Sequence, residues 1–195
     1  MLKQNNLSNT SHEMKNLKLI AVVLFTMVQS YGQQKADNKK AINDIINTYI
    51  RTVIERDSVA FYDLFNDGRV TWCASLKDRS QAKEIEAKGL ENARNGYFEG
   101  SHKDFFRSLF RYQSTEDKFD NITIIEDGTV ASVTMDYSFW ANNKMTNWGG
   151  KYLTLIKRDG KWKIASVIYS LELINYFPQP SIEKRQKEKR KAMDL

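Results

Sequence analysis

From Phe119 to Leu171 apolar and polar residues alternate, and the run is broken at Asp127-Gly128, Asn142-Asn143 and Asp159-Gly160. Alternation with period two is the pattern of strands that bury one face. Asp-Gly between such runs marks a hairpin turn, because both residues tolerate positive φ. The stretch predicts four antiparallel strands joined in order as a meander. In the second strand Ala131, Val133, Met135, Tyr137 and Phe139 share the face built for burial, and Ser132, Thr134, Asp136 and Ser138 share the other. In the fourth, Trp162, Ile164, Ser166, Ile168 and Ser170 fall on one side and Lys163, Ala165, Val167, Tyr169 and Leu171 on the opposite one, as in a strand covered on both faces. Trp148-Gly149-Gly150 opens the third strand, where paired glycines mark a bulge or a sharp bend that curls the sheet.

Upstream the period changes. At about 100° per residue, Ile42, Ile45, Ile46, Tyr49 and Val53 form one stripe, which predicts a long amphipathic helix over residues 38–56 with Asp44, Arg51 and Glu55 on its solvated side. Asp57 or Ser58 caps a shorter helix carrying Phe61, Leu64 and Phe65, and Asn66-Asp67-Gly68 stops it. Val70 to Leu76 reads as a short strand with Trp72 and Cys73. Residues 77–99 are charged, with a helical stretch from Ser80 to Lys88 ended by Gly89, and read as an elaboration over the surface. Ser101 followed by Asp104 is a capping-box variant that opens a helix bearing Phe105, Phe106, Leu109 and Phe110. Pro178 and Pro180 end the domain. Beyond them, Glu183 to Lys191 has almost no apolar residue with which to offset its ordering entropy and predicts a solvated coil or frayed helix.

The first residues add a compartment. After Met14, Lys15 and Lys18 precede the apolar run Leu19 to Val28, and Ser30-Tyr31-Gly32 supplies small residues three and one before a cut. This is the pattern of a secretory signal peptide cleaved before Gln33, its apolar run too short to span a bilayer comfortably. Export to a periplasm or to the medium is expected, without a transmembrane span. The chain divides into upstream residues and signal peptide over 1–32, one domain over 33–178 and a basic solvated tail over 179–195.

The 195 residues suffice for one domain with its own core, and Cys73, the only cysteine, reads as a buried inert thiol. The net charge of +6 suggests a polyanion partner until it is apportioned. Residues 1–32 hold three lysines against one glutamate, and residues 181–195 hold six basic against three acidic side chains. The middle holds 21 basic against 20 acidic, so nucleic acid is not an expected partner of the domain.

The order of elements, a long helix, a short Asp-capped helix, a short strand with Trp72, a further helix and a curled meander, resembles the nuclear transport factor 2-like superfamily, with its SnoaL-like and ketosteroid-isomerase-like relatives. Asp57 with Phe65-Asn66-Asp67 is similar to the Asp and Phe-x-Asp of its first helical hairpin. Gly100 before Ser101 is similar to the glycine preceding its third helix. Lys157-Arg158-Asp159-Gly160-Lys161-Trp162-Lys163-Ile164, closed by Ser170, is similar to its final hairpin. The resemblance covers about residues 37–172. It implies an α+β cone, a curled antiparallel meander sheet wrapped round the long N-terminal helix with a cavity at the open end. Superfamily members include isomerases, dehydratases and cyclases as well as binding domains, so fold alone does not choose a function.

Chemistry on that scaffold commonly uses a general acid or base in the cavity. His102, the one histidine after the signal peptide, stands next to a helix cap and reads as a surface residue. Asp136 reads as solvent-exposed or at a dimer contact. Relatives carry polar or histidine residues along the final strand where this chain has Ser166 and Ile168, which weighs against a hydratase or isomerase. Metal-ligand spacing, a nucleophile–histidine pair and a phosphate-cradling loop do not occur in the sequence, and no cofactor or metal is expected. The aromatic residues favour an apolar pocket. The expected lining of the implied cavity is Tyr49, Trp72, Phe106, Tyr137, Phe139, Trp148 and Ser166, binding a small, largely apolar ligand. A homodimer formed through the sheet is a further expectation, and an acid–base isomerase or dehydratase is the alternative.

Overall fold

The computed structural model describes residues 32–193, so the expected leader up to residue 31 lies outside the described residues. Residues 32–40 form one unit, helical throughout, in which Gln33 Nε2 donates to Asp37 Oδ1 one turn on, at 3.0 Å. Helical backbone therefore starts ahead of residue 38. A second, compact unit begins at Ala41 and holds the whole of the sheet.

The first helix of this second unit, α1 (41–55), buries the predicted stripe of Ile42, Ile46, Tyr49 and Val53. Arg56 then takes a left-handed conformation (φ 57°) that turns the chain. Asp57 Oδ1 accepts from the Ala60 amide at 3.0 Å and caps α2 (Ser58–Asp63), an interaction worth about 1 kcal/mol. Next come β1 (Thr71–Leu76), α3 (Asp78–Lys88), β2 (Tyr97–Gly100) and α4 (His102–Ser108). Ser101 Oγ caps α4 by accepting from the Asp104 amide at 3.1 Å, as its sequence predicts. The strand β2 lies within the stretch read as a surface elaboration. All four of its residues are exposed, so no apolar pattern announces it, and it is held by its ladder to β1.

The predicted meander is β3 (Thr115–Glu126), β4 (Val130–Ala141), β5 (Lys144–Arg158) and β6 (Lys161–Leu173), antiparallel throughout. With β1 running parallel to β6, it makes a six-stranded sheet in the order β2-β1-β6-β5-β4-β3. The sheet is curled and unclosed, and its inner face packs Ala131, Val133, Met135, Leu153, Leu155, Trp162, Ile164 and Val167 against α1, α2 and α4. Asn142 and Asn143 (φ 51° and 61°) and Asp159 with Gly160 (φ 49° and 75°) form the expected two-residue turns. Asp127-Gly128 differs, because only Gly128 has positive φ. Asp127 Oδ1 instead accepts from the amides of Thr129 and Val130 at 2.9 and 2.8 Å, which makes a three-residue loop.

Besides a register shift between β4 and β5 at Phe139 and Trp140, where Thr146 has no partner across the ladder, two bulges set which side chains face inward. One lies in β3 between Asp120 and Thr123, where Asn121 has φ 52°. The other lies in β6: Thr154 pairs with Ser166 and Leu155 with Ile164, so Ala165 has no partner across the ladder. The extra residue inverts the alternation beyond it. Trp162 and Ile164 face the core, and so do Val167 and Tyr169, while Ser166 and Ile168 point outward.

The C-terminal stretch takes the helical one of its two expected forms, mostly exposed but anchored at one buried residue. Ile182–Met193 is a helix, α5, and its Arg185 is buried. Arg185 Nε donates to Asp136 Oδ2 at 3.1 Å and Nη2 to Asp120 Oδ2 at 2.8 Å, while Lys189 Nζ stands 2.9 Å from Asp136 Oδ1. Asn121 Nδ2, turned by its bulge, donates to Asp136 at 2.6 Å. Asp136 is thus on the outer face, as predicted, yet only 7% exposed. Burial works to raise its pKa, and Lys189, Asn121 and Arg185 more than offset this, holding the carboxyl below its usual range. Among the described residues no helix is long and apolar enough to cross a membrane.

Candidate functional site

Two consecutive inward positions of β3 are Asp117 and Phe119, and Lys151 occupies an inward position of β5 ahead of Leu153 and Leu155. Register across β4, with Asp117 opposite Phe139 and Tyr137 opposite Gly149, closes the distance between them. Lys151 Nζ donates to Asp117 Oδ2 at 2.6 Å, and the two side chains are only 3% and 1% exposed. A buried pair of this kind persists when its geometry is good and the remaining polar atoms are satisfied.

The ammonium is enclosed by rings. Its Nζ lies 4.7 Å from the centroid of Tyr137, 4.9 Å from Phe119, 5.1 Å from Tyr49 and 5.6 Å from Tyr169, and 3.4 Å from the Tyr49 hydroxyl. Ring faces attract a cation and partly replace its lost hydration. Burial still dominates and lowers the Lys151 pKa, although Asp117 opposes the change. Burial first, and then the negative charge of Asp117, push the Tyr49 phenol well above 10; Tyr137 is raised similarly, by burial, Tyr169 and Asp117. These phenols are hydrogen-bond donors at neutral pH. The Tyr137 hydroxyl donates toward Asn147 Oδ1 (3.0 Å) and the Ser170 carbonyl (3.1 Å).

Beside the pair lies a cavity of about 170 Å³. Trp72 from β1, Phe105 and Ser108 from α4, Tyr137 and Phe139 from β4, and Tyr169 and Leu171 from β6 wall it, with Asp117, Asn147 and Lys151 as its polar side. Tyr112, Phe139 and Asn147 also line a wider groove of about 760 Å³ that reaches Arg94 and Ile174, which gives the cavity a mouth. Four buried polar side-chain atoms have no hydrogen-bond partner among the described residues: Glu84 Oε2, His102 Nδ1, Trp162 Nε1 and Asp117 Oδ1. Only Asp117 belongs to the cavity wall.

Of the residues expected to line the cavity, Trp72, Tyr137 and Phe139 do so, and Tyr49 stands behind them against Lys151. Phe106 does not. It packs in the core with Phe61 at 4.8 Å and Tyr62 at 5.5 Å. Trp148 lies on the opposite side of β5 from Lys151, where its Nε1 donates to the Phe177 carbonyl at 2.8 Å and Lys77 covers its ring. Ser166 is turned outward by the Ala165 bulge, and Tyr169 takes the place expected for it. His102 is half-buried rather than on the surface, stacked on Phe65 at 4.4 Å, and burial lowers its pKa. Cys73 is half-buried as well. Lys151 and Asp117 were legible only as charges standing in register with apolar inward positions, Leu153 and Phe119 two residues on.

The sequence profile of a family described as "Putative lumazine-binding" matches residues 37–170. The chain belongs to that family. Solved structures share the fold of this lumazine-binding-family chain, the nuclear transport factor 2-like fold that its motifs imply. It is similar to a hexachlorocyclohexane dehydrochlorinase from Novosphingobium barchaimii, at 14% identity and TM-score 0.53, over 72% of this chain and 90% of that one. It is also similar to a nuclear transport factor 2-like protein from Silicibacter pomeroyi, at 15% identity and TM-score 0.50, over 71% and 98% of the two chains. The same fold occurs in a putative scytalone dehydratase from Novosphingobium aromaticivorans, at 14% identity and TM-score 0.50, over 72% and 88%. Such identities carry the fold and not the activity. No curated protein matches the chain.

Proposed function

We propose that the protein binds a small, flat, largely apolar ring compound in the cavity beside Lys151 and Asp117. The observation that carries this reading is an aromatic-walled space of about 170 Å³ with one buried charge pair on its side. That volume lies below the roughly 300–1,000 Å³ of pockets for drug-sized ligands, which limits the guest to one or two rings. The family's description points the same way, since lumazine is a flat two-ring heterocycle. Titrating the purified chain with one- and two-ring heteroaromatics, lumazine included, is expected to quench Trp72 fluorescence and raise Tm. If no such compound moves Tm at millimolar concentration, the reading is wrong.

Acid–base catalysis in the same cavity is the second reading, and the buried Asp117–Lys151 pair favours it. A carboxylate there can take a proton while the ammonium steadies the charge that develops. Incorporation of solvent deuterium into a bound carbon acid would support it, and its absence across ligands that bind would remove it.

The proposal includes export, supported by Lys15, Lys18 and the apolar run Leu19 to Val28. An exported product whose N-terminus is not Gln33 would contradict the expected cut. It also includes a homodimer through the outer sheet face, where Tyr152, Ile168 and Ile125 are 52%, 45% and 70% exposed. A strict monomer in sedimentation would exclude that arrangement.

A further inference from the structure

The polar side of the cavity says more than that a ring fits. Asp117 accepts from Lys151 through Oδ2 alone, and its Oδ1 is buried without a partner among the described residues. An ionised carboxylate can only accept and an ammonium can only donate. A neutral guest that meets both must therefore present a donor and an acceptor side by side. We infer that Asp117 and Lys151 read the cis-amide edge of a cyclic amide, imide or ureide, its N–H directed to Asp117 and its C=O to Lys151. This rests on the ring-binding reading above and names the chemical class of the ring.

Other charge states fit worse. A carboxylate would gain Lys151 but be repelled by Asp117, and an amine cation would gain Asp117 but be repelled by Lys151 at 2.6 Å from it. A purely apolar ring leaves the Asp117 oxygen a buried acceptor without a partner and gains nothing from it. Oδ1 is itself covered, so meeting the guest requires the carboxylate to turn about its soft terminal torsion. Trp72, Phe105, Phe139 and Tyr169 supply faces on which a flat ring stacks.

The test compares guests of one shape on the full chain by calorimetry: isoquinolin-1-one, its N-methyl derivative, isoquinoline and 1-naphthoate. The N–H lactam is expected to bind about tenfold or more tightly than the N-methyl compound, which removes the donor to Asp117. It should also exceed isoquinoline and 1-naphthoate. In Asp117→Asn the preference over the N-methyl compound should fall to within about threefold, since an amide side chain both donates and accepts. Equal binding of the lactam and its N-methyl derivative to the wild type overturns the inference while leaving ring binding intact. Tightest binding of 1-naphthoate assigns the site to anions and overturns it too. Failure of all four to bind removes the ring-binding reading itself. The wild-type ratio decides the matter even if Asp117→Asn does not fold.

Discussion

A Cβ added to Gly149 would stand 2.0 Å from the carbonyl oxygen of Ser170, the same oxygen toward which the Tyr137 hydroxyl donates. The ladder between β5 and β6 lapses at Gly149 and Gly150, with Trp148 paired to Glu172 and Lys151 to Tyr169 on either side. Absence of a side chain at Gly149 is what lets the two backbones approach at this bend and sets Lys151 facing Tyr169.

Gly149→Ala is therefore expected to cost about 1–3 kcal/mol or more, because backbone must move to admit the methyl group. Gly150→Ala is the control. Its Cβ would meet the Tyr152 hydroxyl at 3.0 Å, the far end of an exposed side chain that can swing away. Urea denaturation of the two variants should show Gly149→Ala clearly the less stable.

Lys151→Met leaves the Asp117 carboxylate buried and unpaired, and the expected loss is about 3–5 kcal/mol. Adding Asp117→Val removes the remaining charge. The double variant should recover most of the stability, because an apolar replacement of a buried pair is often neutral. Ligand binding should be lost in both. A double variant no more stable than Lys151→Met would show that Asp117 and Lys151 are not energetically coupled.

Burial lowers the Lys151 pKa below the ordinary lysine value of about 10.4. Between the lowered value and the ordinary one the unfolded chain binds the extra proton, so this group's contribution to stability rises with pH across that window. Carbon-13 NMR at Cε should show Lys151 titrating below the exposed lysines. The stability difference between wild type and Lys151→Met should grow in favour of wild type as pH climbs through the same range. A midpoint at or above those of the exposed lysines would contradict the assignment.

Arg185→Ala should loosen α5, since Arg185 and Lys189 carry the ion pairs that seat it on Asp136. Hydrogen bonds to charged groups are worth about 1.5–3 kcal/mol, so a loss at the lower end is expected for this partly solvated cluster. Asp136 has a lowered pKa, and its contribution is present above the unfolded carboxylate value of about 3.9 and is lost as pH falls through the folded one. Coupling between Arg185→Ala and Asp136→Asn, read by denaturation at pH 7, should be positive and shrink in high salt. Simple additivity of the two would place the seating elsewhere.

Much of the architecture was legible along the chain because its signals are local. The Asp57 and Ser101 caps, the Asn142-Asn143 and Asp159-Gly160 turns and the stripe of Ile42, Ile46, Tyr49 and Val53 each depend on residues within a turn or two. β2 was invisible because exposed residues with no apolar alternation form it by pairing alone. The seating of α5 was hidden for a related reason, although a helix was one of the two forms expected there. This helix has little apolar surface to bury, and its seat is supplied by Asp120, Asn121 and Asp136, about fifty residues or more away.

What the amino-acid order determined by itself was every element but β2, the curled meander and the family of folds to which they belong. The site was decided only in three dimensions. One unpaired residue, Ala165, exchanges Ser166 for Tyr169 on the cavity wall, and a bulge is settled by the ladder of a neighbouring strand rather than by local preference. Lys151 and Asp117 are ordinary surface residue types until register brings them to 2.6 Å, since burying either charge is tolerable only when the other, 34 positions away, arrives with it.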